Sequence, residues 1–223
     1  MRLAVLSLAL VALTGCPNVA NLTTARVLDP GTTEITVAPA VTGLSLAIFG
    51  GDDTESITAG TVDLGVRAGL AETVDLGFRV SNMGNLNLDV KVGLLDSKGL
   101  RIALDPTLGG VFFGGRSDAG YFQVDLPVLF DLVASDAFTF SIAPRYSLLY
   151  FFAGDETSSA VHIFGGALGV ELALGDSFAI QPNVGVGWWV NGPDEVDPYL
   201  FSAGIAFKFL MGVSRRSPEP VAF

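Results

Sequence analysis

Between Glu34 and Leu210 the chain repeatedly alternates apolar and polar residues with a period of two. Residues 62–70 illustrate the pattern, because their even positions are all apolar while their odd positions are charged or glycine. The two sets are Val62, Leu64, Val66, Ala68 and Leu70 against Asp63, Gly65, Arg67 and Gly69. Such alternation predicts β-strands whose two faces meet different environments.

Ten segments carry this alternation, and no helical stretch separates them, which predicts an antiparallel meander. Most are long enough to cross a bilayer as tilted strands, which takes about 9–11 residues. The segments are 34–49, 60–70, 73–80, 84–95, 98–113, 119–131, 136–151, 160–174, 177–190 and 197–210. We therefore predict an all-β fold, a single antiparallel up-and-down transmembrane β-barrel of about ten strands within residues 33–210. An eight-stranded barrel and a soluble β-sandwich are the alternatives, because sandwich strands also alternate.

The gaps between the segments alternate between short and longer ones. The short gaps are 71–72, 96–97, 132–135 and 175–176. Outer-membrane barrels have tight periplasmic turns and longer outside loops. Ten strands that start in the periplasm would place every longer gap, from 50–59 to 191–196, on the outside.

Aromatic residues are sorted by height along the predicted strands, as in the two interfacial belts of membrane barrels. The expected outer belt is Phe49, Phe112, Tyr121, Tyr150, Phe164, Trp188 and Tyr199. The expected periplasmic belt is Phe130, Phe138, Phe140, Phe178, Phe207 and Phe209.

The first residues, MRLAVLSLALVALTGC, join Arg2 to a short apolar stretch and end in small residues before Cys16. This arrangement predicts a cleaved signal peptide over residues 1–15. Leu13-Thr14-Gly15-Cys16 resembles the bacterial lipobox, and the resemblance implies acylation of Cys16 and handling by the lipoprotein-sorting machinery. Pro17 in place of an aspartate implies, by the same resemblance, the outer membrane. Residues 16–32 are then expected to form a lipidated N-terminus and periplasmic tether, with the anchor on the periplasmic side.

The segment Ser202-Ala-Gly-Ile-Ala-Phe-Lys-Phe209 resembles the β-signal by which outer-membrane barrels are recognised for insertion. On this resemblance Gly204, Phe207 and Phe209 form the insertion signal, and the barrel-assembly machinery is a partner. Residues 211–223 would follow as a periplasmic tail. Over about 34–210 the chain resembles bacterial outer-membrane barrels as a class, which implies a diderm bacterium and contact with outer-membrane lipids.

The polar parity positions carry charges of both signs, and an unpaired buried charge costs several kcal/mol. We therefore expect a lumen ion-pair network rather than a wide channel. Its predicted members are Asp63, Arg67, Asp75, Arg79, Asp89, Lys91, Arg101, Asp105, Asp125, Arg145, Glu171 and Lys208. If 71–73 turns a hairpin, Gly77 lies opposite Arg67 and Gly65 opposite Arg79, which leaves room for the guanidinium groups.

The composition argues against several classes of function. A net charge of −11 argues against nucleic acid. A single Cys excludes an internal disulfide and a single His excludes any multi-His metal site. No metal or cofactor is expected. His162 is the only histidine available for acid–base catalysis, and parity places it on the lipid side. The leading hypothesis is a barrel without enzymatic activity, with a plugged lumen and a structural or surface-interaction role towards a ligand of unknown identity. A narrow transport pore and an outer-membrane hydrolase are the alternatives.

Overall fold

The computed structural model describes residues 23–48, 54–82, 84–113, 119–135, 137–153, 156–190 and 196–212, so Cys16 and the tail 213–223 lie outside the described residues. Eleven strands run through these ranges. They are β1 (Thr33–Ile48), β2 (Thr54–Ala71), β3 (Val74–Ser81), β4 (Leu86–Asp96), β5 (Leu100–Leu104), β6 (Thr107–Phe113), β7 (Ala119–Ser135), β8 (Phe138–Ala153), β9 (Glu156–Ala173), β10 (Phe178–Trp189) and β11 (Val196–Met211). No helix in these ranges has the length and apolar character needed to span a membrane.

The sheet closes on itself, because β1 pairs antiparallel with both β2 and β11 and every other neighbour in the wall is also paired. β5 and β6 share one position in the wall: both pair with β4 on one side and β7 on the other. The interruption between them falls at Asp105-Pro106, where proline removes a ladder donor. The predicted ten-stranded up-and-down barrel is thus confirmed, and the eight-stranded and sandwich alternatives are wrong.

The outer face of the wall is apolar and the inner face carries charges, which is the reverse of the arrangement in a water-soluble protein. Leu64, Phe164 and Val184 on the outside are 51%, 52% and 54% exposed, whereas Asp75 and Lys208 on the inside are 0% and 1% exposed. A soluble fold would bury the apolar set and solvate the charges. The outer face is therefore suited to hydrocarbon, in which a closed barrel leaves no unpaired strand edge.

The strands extend further than the sequence predicts at one end of the barrel. We call the end that holds the β2–β3, β4–β5, β7–β8 and β9–β10 connections the turn end, and the opposite end the far end. At the far end β8 reaches Ala153 and β9 begins at Glu156, so most of the gap expected at 152–159 is paired strand. β2 likewise begins at Thr54, inside the expected 50–59 loop. Strand pairing in these hairpins thus continues beyond the alternating residues from which the sequence segments were predicted.

One aromatic assignment is wrong. Tyr121 was expected in the outer belt, but it is fully buried inside the barrel because it shares the inward parity of Gln123 and Asp125. Tyr150, Phe164 and Trp188 are exposed near the far end. Phe138 and Phe209 are exposed near the turn end. Phe49 and the side chain of Phe112 lie outside the described part.

Candidate functional site

The centre of the turn-end half of the barrel is the guanidinium of Arg67. It forms hydrogen-bonded ion pairs with Asp75 and Asp89 and lies 3.3 Å from a carboxylate oxygen of Asp105. Lys91 approaches Asp75 from the other side, with 3.6 Å between Nζ and Oδ2. All five side chains are buried, so the two cations and three carboxylates interact strongly and compensate most of one another's charge.

The register of β2 and β3 makes space for this group. Arg67 pairs with Gly77 and Arg79 with Gly65, which confirms the predicted arrangement. A Cβ atom on Gly77 would overlap the Asp89 carboxylate, so glycine is required where Asp89 turns towards Arg67. A Cβ atom on Gly65 would meet nothing closer than 3.6 Å.

A second group of charges lies across the lumen. Lys208 Nζ donates to Glu171 at 2.8 Å, and the Arg26 guanidinium lies 3.6 Å from Glu171 and 3.9 Å from Glu34. Arg26 and Glu34 were not among the predicted members. The sequence could have identified Glu34, because even positions of β1 face inward, and in the structure Glu34 pairs with Arg67 of β2. Arg26 belongs to the segment that was expected to be a periplasmic tether.

That segment requires a correction. Residues 16–32 were expected to form the lipidated N-terminus and periplasmic tether, but residues 23–28 lie inside the barrel. The backbone N–H of Ala25 donates to Asp131 at 2.8 Å, that of Leu28 to Asp75 at 3.1 Å, and the carbonyl of Arg26 accepts from Lys91 at 3.0 Å. The side chains of Asp131, Asp75 and Lys91 face inward, and buried polar groups of this kind need hydrogen-bond partners. The backbone of residues 23–28 supplies part of these hydrogen bonds. A turn at Asp29–Thr32 then leads into β1.

The remaining predicted lumen residues occupy different surroundings. Asp63 and Asp125 are buried, and Gln123 donates to Asp125. Arg145 is half-buried and interacts electrostatically with Asp125. Arg79 is half-buried beside a cavity of about 40 Å³ that Thr23, Thr36 and Arg67 also line.

Arg101 lies apart from the lumen network. Its Nε donates at 3.0 Å to Asp96, a residue whose side chain is 77% exposed at the β4–β5 turn. The sequence placed Arg101 inside by parity, but a long side chain at the end of a strand reaches the turn instead.

The far-end half of the lumen is apolar, which the sequence analysis missed. Eight inward side chains form one buried cluster, none more than 7% exposed, and Trp189 packs against it. We call it the far-end cluster; its members are Leu44, Val111, Tyr121, Leu149, Phe151, Val161, Ile163 and Leu200. The signal that could have found it is parity, since the inward positions change from charged to apolar as the strands approach the far end.

His162 faces outward, as predicted. Its ring nitrogen Nδ1 lies 2.7 Å from the hydroxyl of Tyr146, and Phe164 packs on Tyr146 with ring centroids 5.0 Å apart. The neighbours Val161 and Ile163 point into the lumen, so His162 is on the outer face of β9. Asp155 is outside the described residues, and nothing is described of the side chains of Glu156 and Ser158.

The residues that resemble an insertion signal lie on β11 at the seam of the barrel. Gly204 pairs with Ala40 of β1, and a Cβ atom on Gly204 would lie 2.7 Å from that of Ala40. Phe207 and Phe209 point outward, and Phe209 packs on Phe178 with ring centroids 5.1 Å apart. The small residue thus permits close approach of β1 where the first and last strands meet.

Comparison with known proteins gives a structural likeness only. No family model matches the chain, and no curated protein matches it. Among solved structures, the outer-membrane protease OmpT of Escherichia coli is similar with a TM-score of 0.54 at 10% identity, over 84% of this chain and 100% of that chain. The chain has the fold of bacterial outer-membrane β-barrels. An outer-membrane channel from Pseudomonas putida F1 is similar with a TM-score of 0.55 at 10% identity, over 84% of this chain and 98% of the other. Because a protease and a channel share this fold, the fold does not select an activity.

Proposed function

We propose that this chain is a non-conducting barrel of the bacterial outer membrane, with a plugged lumen and a structural or surface-interaction role. In this proposal the turn end faces the periplasm and the far end faces outward. The observation that carries the proposal is that buried inward side chains crowd the lumen at two heights. Residues 23–28 and the Arg67 and Glu171 charge groups lie in the turn-end half, and the far-end cluster lies in the other half.

The far-end cluster supports the absence of conduction most strongly. An ion that crossed it would lose its hydration among side chains such as Leu149, Ile163 and Leu200, each at most 2% exposed. Transfer of an unpaired charge into such surroundings is prohibitive. In the charged layer below, Arg67 is paired with Asp75 and Asp89, and Lys208 with Glu171, so these groups are engaged with one another rather than with a passing ion.

Electrical recording in planar bilayers tests this proposal. The purified full chain is added to the bilayer after its folding has been verified by the mobility shift on heating in a detergent gel. We expect no single-channel steps at any voltage that the bilayer tolerates. Discrete steps that scale with the amount of folded protein would overturn the proposal in favour of the narrow transport pore.

We further propose that the barrel is not a hydrolase. His162 faces outward beside Tyr146, away from the lumen carboxylates, and this arrangement supports an interfacial rather than a catalytic role. We expect the purified chain to hydrolyse neither lipid nor peptide above the background that His162→Ala also gives. Loss of such hydrolysis in His162→Ala, with its retention in Tyr146→Phe, would contradict the proposal.

A lipid anchor at Cys16 completes the proposed topology. Six residues lie between Cys16 and Thr23, and the seven Cα–Cα steps of an extended chain span at most about 25 Å. The acyl chains would therefore enter the bilayer close to the barrel. Metabolic labelling with a radioactive fatty acid should label the wild-type chain, and Cys16→Ser should remove the label. A labelled Cys16→Ser chain, or an unlabelled wild-type chain, would contradict the anchor.

A further inference from the structure

The wall of the barrel is not equally tall all round. β2 pairs with β1 up to Thr54, but its pairing with β3 ends at Asp63 and Ser81. Beyond that point Asn82 caps the ladder: its backbone N–H donates to the carbonyl of Val62 at 3.0 Å, and its side-chain oxygen accepts from the N–H of Val62 at 3.0 Å. Among the residues that the structure describes, 54–61 therefore have no strand partner on the β3 side. We call residues 54–61 the free edge.

The position of the free edge agrees with the membrane boundary. Val62, Leu64 and Val66 form the apolar outer face of β2 and are at least 40% exposed. Thr54, Ser56, Thr58 and Gly60 continue the same parity with polar residues or glycine. Unpaired backbone is prohibited in hydrocarbon but permitted in water. Pairing thus ends where the apolar face ends, and the free edge stands in water at the far end.

The free edge presents an ordered set of hydrogen-bonding groups. Alternate residues of a strand direct both their N–H and C=O groups to the same side. Since Val62 directs both groups towards Asn82, the residues of the same parity direct theirs to the unpaired side. These residues are Thr54, Ser56, Thr58 and Gly60, and a Cβ atom on Gly60 would meet nothing within 4 Å.

As far as the described residues show, the notch beside the free edge has room for further strands. Its other border is β6, whose pairing with β4 ends at Gly110 while its pairing with β7 continues to Phe113. β3 and β4 separate these borders lower in the wall, so the notch is three strand spacings wide, about 14 Å. Free edges are normally protected by lysine, proline or a bulge. Residues 54–61, TESITAGT, contain neither lysine nor proline.

From these observations we infer that the free edge is a docking site for an extended, basic segment of a partner polypeptide, which adds as a strand to β2 at Thr54–Thr61. The mode is β-augmentation, in which backbone hydrogen bonds provide affinity. The partner is basic because the edge contains Glu55 and neither lysine nor arginine, and the whole chain carries a charge of −11. This inference rests on the proposed surface-interaction role and specifies its partner class.

The test uses the full chain folded in detergent and a fluorescein-labelled peptide of nine residues that alternates valine with lysine or threonine. We expect saturable binding by anisotropy, and at least tenfold weaker binding of a matched peptide with glutamate in place of each lysine. Thr58→Pro removes an N–H that points to the free side while leaving the groups that face β1, so it should weaken binding at least tenfold. Thr58→Ala keeps the backbone and should bind within twofold of wild type.

Amide hydrogen exchange of the wild-type chain provides a second test, which does not require Thr58→Pro to fold. In the wild-type chain the amides of Thr58 and Gly60 should exchange rapidly and become protected when the basic peptide is added. No peptide binding, binding that Thr58→Pro leaves unchanged, or unchanged exchange at Thr58 and Gly60 would each overturn the inference. Disulfide-linked dimers of Thr58→Cys in a Cys16→Ser chain without peptide would also overturn the inference, because a second copy would then occupy the edge.

Bilayer recording distinguishes the two proposals, since a silent barrel that binds no peptide contradicts the docking site alone.

Discussion

Arg67 is the cation that the carboxylates of Asp75, Asp89 and Asp105 share. Its removal takes this cation from the buried Asp89 and Asp105, while Asp75 keeps Lys91, and breaking a buried pair in this way costs about 3–5 kcal/mol. We expect Arg67→Ala to lower the free energy of unfolding by at least that amount, measured by urea titration of the folded barrel in lipid vesicles.

Arg101→Ala is the matched control for this substitution. The pair of Arg101 with Asp96 lies at the surface, with Asp96 largely and Arg101 partly exposed, and such pairs contribute at most about 1 kcal/mol. Equal unfolding midpoints for Arg67→Ala and Arg101→Ala would show that the buried group does not stabilise the barrel.

The glycines opposite the two arginines make a sharper comparison, because only one of them is sterically required. Gly77→Ala places a methyl group against the Asp89 carboxylate and should destabilise the barrel by roughly 1–3 kcal/mol. Gly65→Ala meets no close atom and should be neutral or stabilising by up to about 1 kcal/mol, since alanine restricts the unfolded chain. Urea midpoints in the reverse order would contradict the role assigned to Gly77.

Among the larger elements, the segment 23–28 lies inside the barrel and is bound by side chains instead of by pairing with a neighbouring strand. Its backbone groups bond to inward side chains of β3, β4 and β7, and Ala25 packs against Ala103, Leu129, Ala143 and Ala167. The turn at Asp29–Thr32 separates this buried part from β1 and leaves Asp29 exposed.

This location predicts a difference in thiol accessibility along the segment. In a Cys16→Ser chain, a cysteine in place of Asp29 should react rapidly with a water-soluble maleimide, whereas a cysteine in place of Ala25 should react at least a hundredfold more slowly until the barrel is unfolded. Comparable rates at the two positions in the folded barrel would show that the segment leaves the lumen.

The ten wall strands were predictable from the sequence because one physical rule, a period of two, acts along the whole wall. Register was predictable at one hairpin, where the short 72–73 turn fixes Gly77 opposite Arg67. The segment 23–28 was not predictable, because it has no alternation and its backbone satisfies groups contributed by strands far away in sequence. The membership of Arg26 in the charge network was hidden for the same reason.

For the whole molecule, the proposed function requires an outer face in contact with hydrocarbon and a far-end cluster without water. Methyl NMR of the folded chain in lipid nanodiscs measures both properties without introducing a label into the packed lumen. The methyl groups of Leu126, Leu168 and Val184 should give cross-peaks to lipid chain protons, because these side chains are 46–54% exposed on the outer face. Those of Leu44, Leu149 and Leu200 should give cross-peaks neither to lipid nor to water. Water cross-peaks from this inner set would reveal a hydrated channel and contradict the sealed barrel.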